Sequence, residues 1–400
     1  MSELLRQIDS IALFRGVRYR EPLNSLCDYL KKLEANYTLD ELIESYSSFV
    51  SILYNLRSDA DLSGAIWDAL VEDMNPFLRH RIDEIINPDE ATKLSTLITL
   101  TAERELDLLT QIGSYTSTSF KDEMYYDGYL PDFRSSHIDF KERYMELINN
   151  ISTKGYGMFS KYLMFKIDNG VLVPVKHPDP ICTDDLFCYE MQREKVLNNT
   201  KAFLDGKPAA DVFLYGDAGT GKSSTVKAIA REFVDRGLRL VELPKPELDN
   251  LSRVIEDLSQ IPMKFILFFD DITFDADDDR IGILKSILEG AASGDRKNIV
   301  IYATSNRRHM IKETFSSRSD EIHASDTIAE QTSLSERFGL RILFEKPNKF
   351  TFINIIKNMC DARGISYDEK ELELKAEQAA LRAGGRSNRL ARQFVDSLGC

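Results

Sequence analysis

Cysteine is sparse and unpaired. Cys27, Cys182, Cys188, Cys360 and Cys400 never form a C-x-x-C pair, and an odd, scattered set supports neither a disulfide framework nor a zinc knuckle. That usage suits a reducing cytoplasm. Long apolar runs are also missing: stretches such as FILFF at 265–269 fall far short of a bilayer span, and MSELLRQIDSIALFRGVRYREPL at the amino end has no basic start followed by an apolar block. The expectation is a soluble, unexported protein with no membrane partner. Basic charge is outnumbered, with 51 Lys and Arg against 65 Asp and Glu and a net charge of -14, which disfavours a sequence-indifferent grip on nucleic acid. Two local basic clusters, SNRRH at 305–309 and RAGGRSNRLAR at 382–392, keep nucleic acid as a lesser partner class. The five histidines, His80, His137, His177, His309 and His323, show no ligand spacing. No internal repeat and no low-complexity tract occurs.

What is present divides into stretches of different rhythm, as a chain of 400 residues requires if cores are to stay of ordinary size. Up to about residue 115, apolar residues recur three and four apart in LNSLCDYLKKLEANY, TLDELIESYSSFVSILYNLR, SGAIWDALVEDMNPFL and TKLSTLITLTAERELDLLTQIG, which predicts roughly four to six helices. Thr38 with Glu41 has capping-box spacing. YTSTSFKDEMYYDGYLPDF reads as an aromatic loop, followed by a helix near DFKERYMELINNI. YLMFKI-DNG-VLVPV reads as a hairpin turned by Asp168, Asn169 and Gly170, and the Pro-rich VPVKHPDP after it reads as a boundary. From about residue 184, helix patterns alternate with the largely apolar strands DVFLYG, LRLVEL, KFILFF and NIVIYATS, which predicts a buried parallel sheet with helices on both faces. The expected domains are a helical one at 1–155, a hairpin and linker at 156–183, an α/β core at 184–347 and a helical lid at 348–400.

The chemistry concentrates in GDAGTGKS, which fits G-x-x-x-x-G-K-[ST] after a strand and at the opening of a helix. Glycines there let backbone N–H groups curl around an anion at a helix amino end. The expected phosphate-binding residues are Gly216, Asp217, Ala218, Gly219, Thr220, Gly221, Lys222, Ser223 and Ser224, with Lys222 on the terminal phosphates and Ser223 on Mg2+. A metal there also needs a carboxylate from a neighbouring strand. Asp270, at the end of KFILFFDD, is the expected metal residue and Asp271 the one that orients or deprotonates water, although two acids could also simply open the acidic loop that follows. The polar tip Thr304, Ser305 and Asn306 suits a contact to phosphate or water, and equally suits ordinary turn chemistry.

Taken in order, LYGDAGTGKSSTVKA, ILFFDD, SILEG, IYATSNRRH, LSERFGL and GGRSNRLARQFV resemble the AAA+ ATPases, and more closely the bacterial AAA+ family known as domain of unknown function 815. The resemblance covers about residues 180–398. It implies a P-loop NTPase fold of the α/β class, a parallel sheet flanked by helices with a small helical lid, behind a mainly helical amino-terminal domain. It further implies ATP and Mg2+ as ligands and assembly into a homo-oligomer. By the same resemblance Asn306 falls at sensor 1, Arg337 at the arginine finger inserted into a neighbour's site, and Arg389, or else Arg386, at sensor 2. ICTDDLFCYEMQ becomes the base-binding region. Asp271 departs from the common Asp-Glu ending and is one methylene shorter, which puts the rate of hydrolysis in question.

The function so implied is an Mg2+-dependent ATPase that remodels or loads a macromolecular partner, with an unknown protein engaged by the helical domain. The alternative is a non-hydrolysing ATP-dependent switch or scaffold. A small-molecule kinase would leave the helical domain without a place, and a GTPase lacks the N-K-x-D sequence it would need.

Overall fold

In the computed structural model of the protein, residues 2–35, 37–89, 96–274, 278–290, 296–307, 310 and 334–398 are described. Arg308, His309, His323 and Cys400 lie outside them. Contacts divide the chain into two units, Met1–Lys161 and Tyr162–Cys400.

The first unit is helical because its apolar residues keep helical spacing between clear stop signals. Thr38 and Glu41 form the capping box, with Thr38 N–H donating to the Glu41 carboxylate at 3.0 Å. SGAIWDALVEDMNPFL is two helices rather than one, Leu62–Val71 and Pro76–Ile86, because Pro76 suits only a first helical position and the Asn75 side chain caps the new start. With the short turn at Arg15–Arg18, the described residues up to Gly113 hold seven helical segments, more than the sequence pattern implied. The aromatic stretch also contains a helix, Ser117–Met124, before its loop. Tyr29, Tyr46, Tyr144, Phe14, Phe49 and Phe120 are fully buried and form the centre of this unit.

The second unit is built on a sheet of seven strands among the described residues: β1 (Met164–Asp168), β2 (Val171–Pro174), β3 (Val212–Gly216), β4 (Leu238–Glu242), β5 (Lys264–Phe269), β6 (Ile299–Ser305) and β7 (Leu340–Phe344). Their spatial order is β2-β1-β4-β5-β6-β3-β7. All pairs are parallel except the β1–β2 hairpin. The hairpin expected in a linker is therefore the outer part of the sheet, with Phe165 beside Val241 of β4. β7, in FGLRILF, was not anticipated as a strand; its alternation of exposed and buried residues is that of an edge. Every residue of β6 is buried, so both its faces are covered. One face packs Leu214, Leu240, Ile266, Phe268 and Tyr302 against Val196, Phe203, Val226 and Ile229 of the helices Glu190–Leu204 and Lys222–Glu232. The first of these helices begins later than its pattern suggested, since Cys188 and Tyr189 take left-handed backbone at φ 64° and 62°. The carboxyl-terminal helices Lys349–Ala362, Glu369–Arg382 and Asn388–Leu398 have their own core, centred on Phe352, Ile355, Ile356, Cys360, Ala376, Ala391 and Val395.

Candidate functional site

The glycine-rich loop leaves β3 through a point of very close approach. At Gly216, φ is 126° and a Cβ would lie 2.2 Å from the Phe344 carbonyl oxygen, so only glycine lets β3 and β7 stay paired there. The Asp217 N–H then donates to Phe344 O at 3.0 Å, and Thr220 Oγ1 donates to Asp217 O at 2.9 Å, closing the turn before the helix opens at Lys222. Inside this loop Lys222 is buried, and its Nζ donates to Gly216 O (3.0 Å), Asp217 O (2.7 Å) and Asn306 Oδ1 (2.9 Å). Burial pushes the Lys222 ammonium below the usual lysine value, against the opposing pull of Asp271, Asp217 and Asp270.

Sheet order brings the remaining groups to the loop. β6 lies between β5 and β3, and Phe269 pairs with Ala303, so Asp270 emerges beside Thr304 at the carboxyl ends of the strands. A continuous chain of bonds results. Ser223 Oγ donates to Asp270 Oδ1 at 2.5 Å, and Thr304 Oγ1 donates to the same oxygen at 2.8 Å while accepting from Asp271 N–H at 2.8 Å. Asn306 Nδ2 donates to Asp271 Oδ1 at 2.7 Å, and its Oδ1 returns to Lys222. Asp271 occupies the left-handed region at φ 51°, unusual for a residue with a Cβ, and the bonds from Thr304 and Asn306 hold it there.

Around these groups lies a cavity of about 730 Å3, within the size of small-molecule sites. Its polar floor is Ala218–Ser224, Asp270, Asp271, Thr304 and Asn306. Ile181, Leu186, Phe187, Met359 and Ala362 supply an apolar wall, and Arg363, Arg389 and Arg392 supply cations from the helical lid. The lid touches the loop directly, with Arg389 N–H donating to Gly219 O at 3.2 Å. Gly219, at φ 75°, would bring a Cβ to 3.3 Å from Ser387.

Of the residues singled out from sequence, Ala218, Gly219, Thr220, Gly221, Lys222, Ser223, Ser224, Asp270, Asp271, Asn306 and Arg389 all line this cavity. Gly216 and Asp217 lie behind it, and the Asp217 carboxylate turns away to accept from Lys346 N–H at 2.9 Å. Arg386 is outside, held by Glu377 in a two-pronged pair of 2.9 and 2.7 Å. Arg337 is also outside, with its Nε donating to Glu289 at 2.7 Å. Of ICTDDLFCYEMQ, Ile181, Asp185, Leu186 and Phe187 line the cavity, and beyond them the left-handed Cys188 and Tyr189 turn the chain away. Sequence reasoning did not identify Arg363 or the wall residues Met359 and Ala362. Arg392 had a signal, since it follows Arg389 by three residues and so shares its helix face.

Ser223 and Asp270 bring a hydroxyl and a carboxylate oxygen to one point, a fit for Mg2+ completed by phosphate oxygens and water. Among the described residues no cluster of three or more His, Cys, Asp or Glu could hold a metal by itself, so an ion there would share its shell with a ligand. No helix among them is long and apolar enough to cross a membrane.

The family model described as Protein of unknown function (DUF815) matches residues 160–400. No curated protein matches the chain. Similar solved structures include the Thermotoga maritima RuvB Holliday junction branch migration motor, with a TM-score of 0.38 and 16% identity over 54% of this chain and 63% of that one. Another is C. elegans PCH-2, with a TM-score of 0.36 and 16% identity over 52% of this chain and 62% of that one. The matches thus span less than two thirds of those two structures, and likeness this remote carries nothing about activity or partners.

Proposed function

The chain belongs to the DUF815 family; on that premise we propose that its Tyr162–Cys400 unit is an AAA+ P-loop module that binds ATP with Mg2+ and hydrolyses it. The observation that carries the reading is the unbroken series Ser223–Asp270–Thr304–Asp271–Asn306–Lys222 across the floor of one cavity. Three adjacent strand ends supply it, and no packing requirement of the sheet would call for it.

In this reading the N–H groups of Gly219–Ser224 wrap the phosphates at the helix amino end, and Lys222 exchanges its carbonyl partners for phosphate oxygens. Ser223 and Asp270 would hold Mg2+, which when bound would supply positive charge against the phosphate oxygens. Asp271 orients the attacking water and takes its proton, and Asn306 holds the Asp271 carboxylate toward the floor. Arg389 meets the phosphates from the lid, and the apolar wall from Ile181 to Phe187 receives the base. Arg386 has the lesser claim to a ligand role, since Glu377 already engages it. Arg337, outside its own cavity, serves a neighbouring copy in a homo-oligomer, leaving Glu289 to do so. ATP turnover moves the lid through its contact with Gly219, and the helical Met1–Lys161 unit engages a protein partner that is remodelled or loaded. The free thiols at Cys27, Cys182, Cys188 and Cys360 suit a cytoplasmic setting.

The test is phosphate release and labelled-ATP binding with Mg2+ in excess. Lys222→Ala should lose binding, Asp271→Asn should bind without turnover, and Arg337→Ala should bind but turn over poorly. Wild-type protein that fails to bind ATP refutes the reading. Normal turnover by Arg337→Ala refutes the part played between copies. A second reading, a nucleotide-bound switch without hydrolysis, is favoured by the hold of Asn306 on the short Asp271 side chain. Sustained phosphate release excludes it.

A further inference from the structure

A second cavity, of about 620 Å3, lies along β7, away from the nucleotide site. Among the described residues, β7 is the last strand in the sheet order. Leu340 N–H donates to Asp211 O, and Phe344 O accepts from Asp217 N–H, so the parallel ladder engages the even-numbered residues of β7. Arg341 and Leu343 therefore turn their N–H and C=O groups to the outer edge. Both side chains are exposed, Leu343 by 39%.

The charge of this groove runs against that of the chain. Its lining holds Lys195, Arg341 and Lys346 against the single acid Glu345, in a protein of net charge -14. Neither Lys195 nor Arg341 has an acidic partner among the described residues, and Lys346 Nζ stands 3.8 Å from Asp217. Tyr189 and Tyr215 add flat, half-buried surface, and Met191 adds an apolar side chain that is 74% exposed. Charges on an edge strand commonly guard against self-pairing, and cations of one sign do repel a second copy of the same edge. They equally attract an extended chain bearing carboxylates at alternate positions, the spacing that brings side chains to one face of a strand.

We propose that the open edge of β7 and its basic groove receive an extended acidic segment of a partner polypeptide, which adds to the sheet as a further strand. Backbone groups at fixed spacing favour a polypeptide over nucleic acid, whose phosphates would use the cations and ignore the edge. The proposal does not rest on ATP binding.

The experiment is fluorescence anisotropy on the full chain with a labelled, acetylated peptide, Glu-Thr-Glu-Val-Glu-Thr-Glu, beside its Lys-for-Glu counterpart and a labelled oligothymidine. Leu343→Pro removes an outward N–H that β3 does not use, so it should leave the circular dichroism and thermal midpoint unchanged while weakening the acidic peptide about tenfold or more. Arg341→Glu and Lys195→Glu, both at exposed positions, should weaken it comparably, and the lysine peptide should not bind. No binding by wild-type protein overturns the proposal, as does acidic-peptide binding that survives Leu343→Pro in a folded variant. Oligothymidine that binds more tightly than the peptide, and loses affinity with Arg341→Glu but not with Leu343→Pro, overturns it in favour of nucleic acid. Should Leu343→Pro lower the thermal midpoint, the two charge reversals decide: unchanged peptide affinity in both overturns the proposal.

Discussion

Replacing Thr304 by valine keeps the shape of a side chain that is only 1% exposed and removes one oxygen atom. That oxygen donates to Asp270 Oδ1 at 2.8 Å and accepts from Asp271 N–H at 2.8 Å, so two bonds go at once. A hydrogen bond to a charged group contributes about 1.5–3 kcal/mol, and a buried donor left without an acceptor costs about 1–3 kcal/mol. Both figures need discounting here, since Ser223 still donates to Asp270 and Asp271 stands at the exposed end of its strand. A loss of about 2 kcal/mol is the reasoned value, equivalent to about 4–8 °C in the thermal midpoint of a unit of this size. Thr304→Ser keeps the hydroxyl and should lose only about 0.8 kcal/mol for the methyl group. Differential scanning calorimetry on both variants, without ligand, measures the difference. If Thr304→Val unfolds with Thr304→Ser or with wild type, the hydroxyl does not join the two strand ends energetically, and the account of the site floor is wrong. With Mg2+ and ATP present, the valine variant should also bind more weakly, because Asp270 loses a group that aims it at Ser223.

Other expectations concern separate parts of the chain. Gly216→Ala forces a Cβ against the Phe344 carbonyl at 2.2 Å, and should cost more than about 3 kcal/mol with loss of the β3–β7 pairing, read by hydrogen exchange at Leu340–Phe344. Glu105 is buried, and its carboxylate accepts from Ala12, Leu13 and Phe14 N–H at 2.9–3.1 Å; Glu105→Gln turns an NH2 group toward those donors and should destabilise the helical unit by about 1–3 kcal/mol in urea titrations. Arg389→Ala should weaken ATP about tenfold, whereas Arg386→Ala should leave affinity unchanged and cost the lid no more than about 1 kcal/mol, as befits an ion pair near the surface; equal losses of affinity would contradict the placement of the two side chains.

Some of this was legible from residue order, and the reasons differ by element. The phosphate loop is local: its turn, its glycines and the helix it opens lie within neighbouring residues, so spacing carries the geometry. The apolar strands and the capping box at Thr38 were readable for the same reason. β7 escaped notice because it alternates exposed with buried residues, without the continuous buried run of β4, β5 and β6. The start of Glu190–Leu204 was misjudged because two left-handed residues, Cys188 and Tyr189, stand in a stretch with good helical spacing. The hairpin at Met164–Pro174 was readable as a hairpin, but its place beside β4 was not.

The amino-acid order alone settled which residues could face a phosphate, since backbone conformation at Gly216, Gly219 and Gly221 and the start of the helix at Lys222 depend on near neighbours. Tertiary structure decided which distant groups share that space. Thr304 bridges two acids, Arg389 rather than Arg386 reaches the cavity, and Lys195 and Arg341 line one groove beside the edge of β7, only because sheet order and lid packing bring remote parts of the chain together. Side-chain encounters across long loops are fixed by burial of the whole core, and no spacing within a short window encodes them.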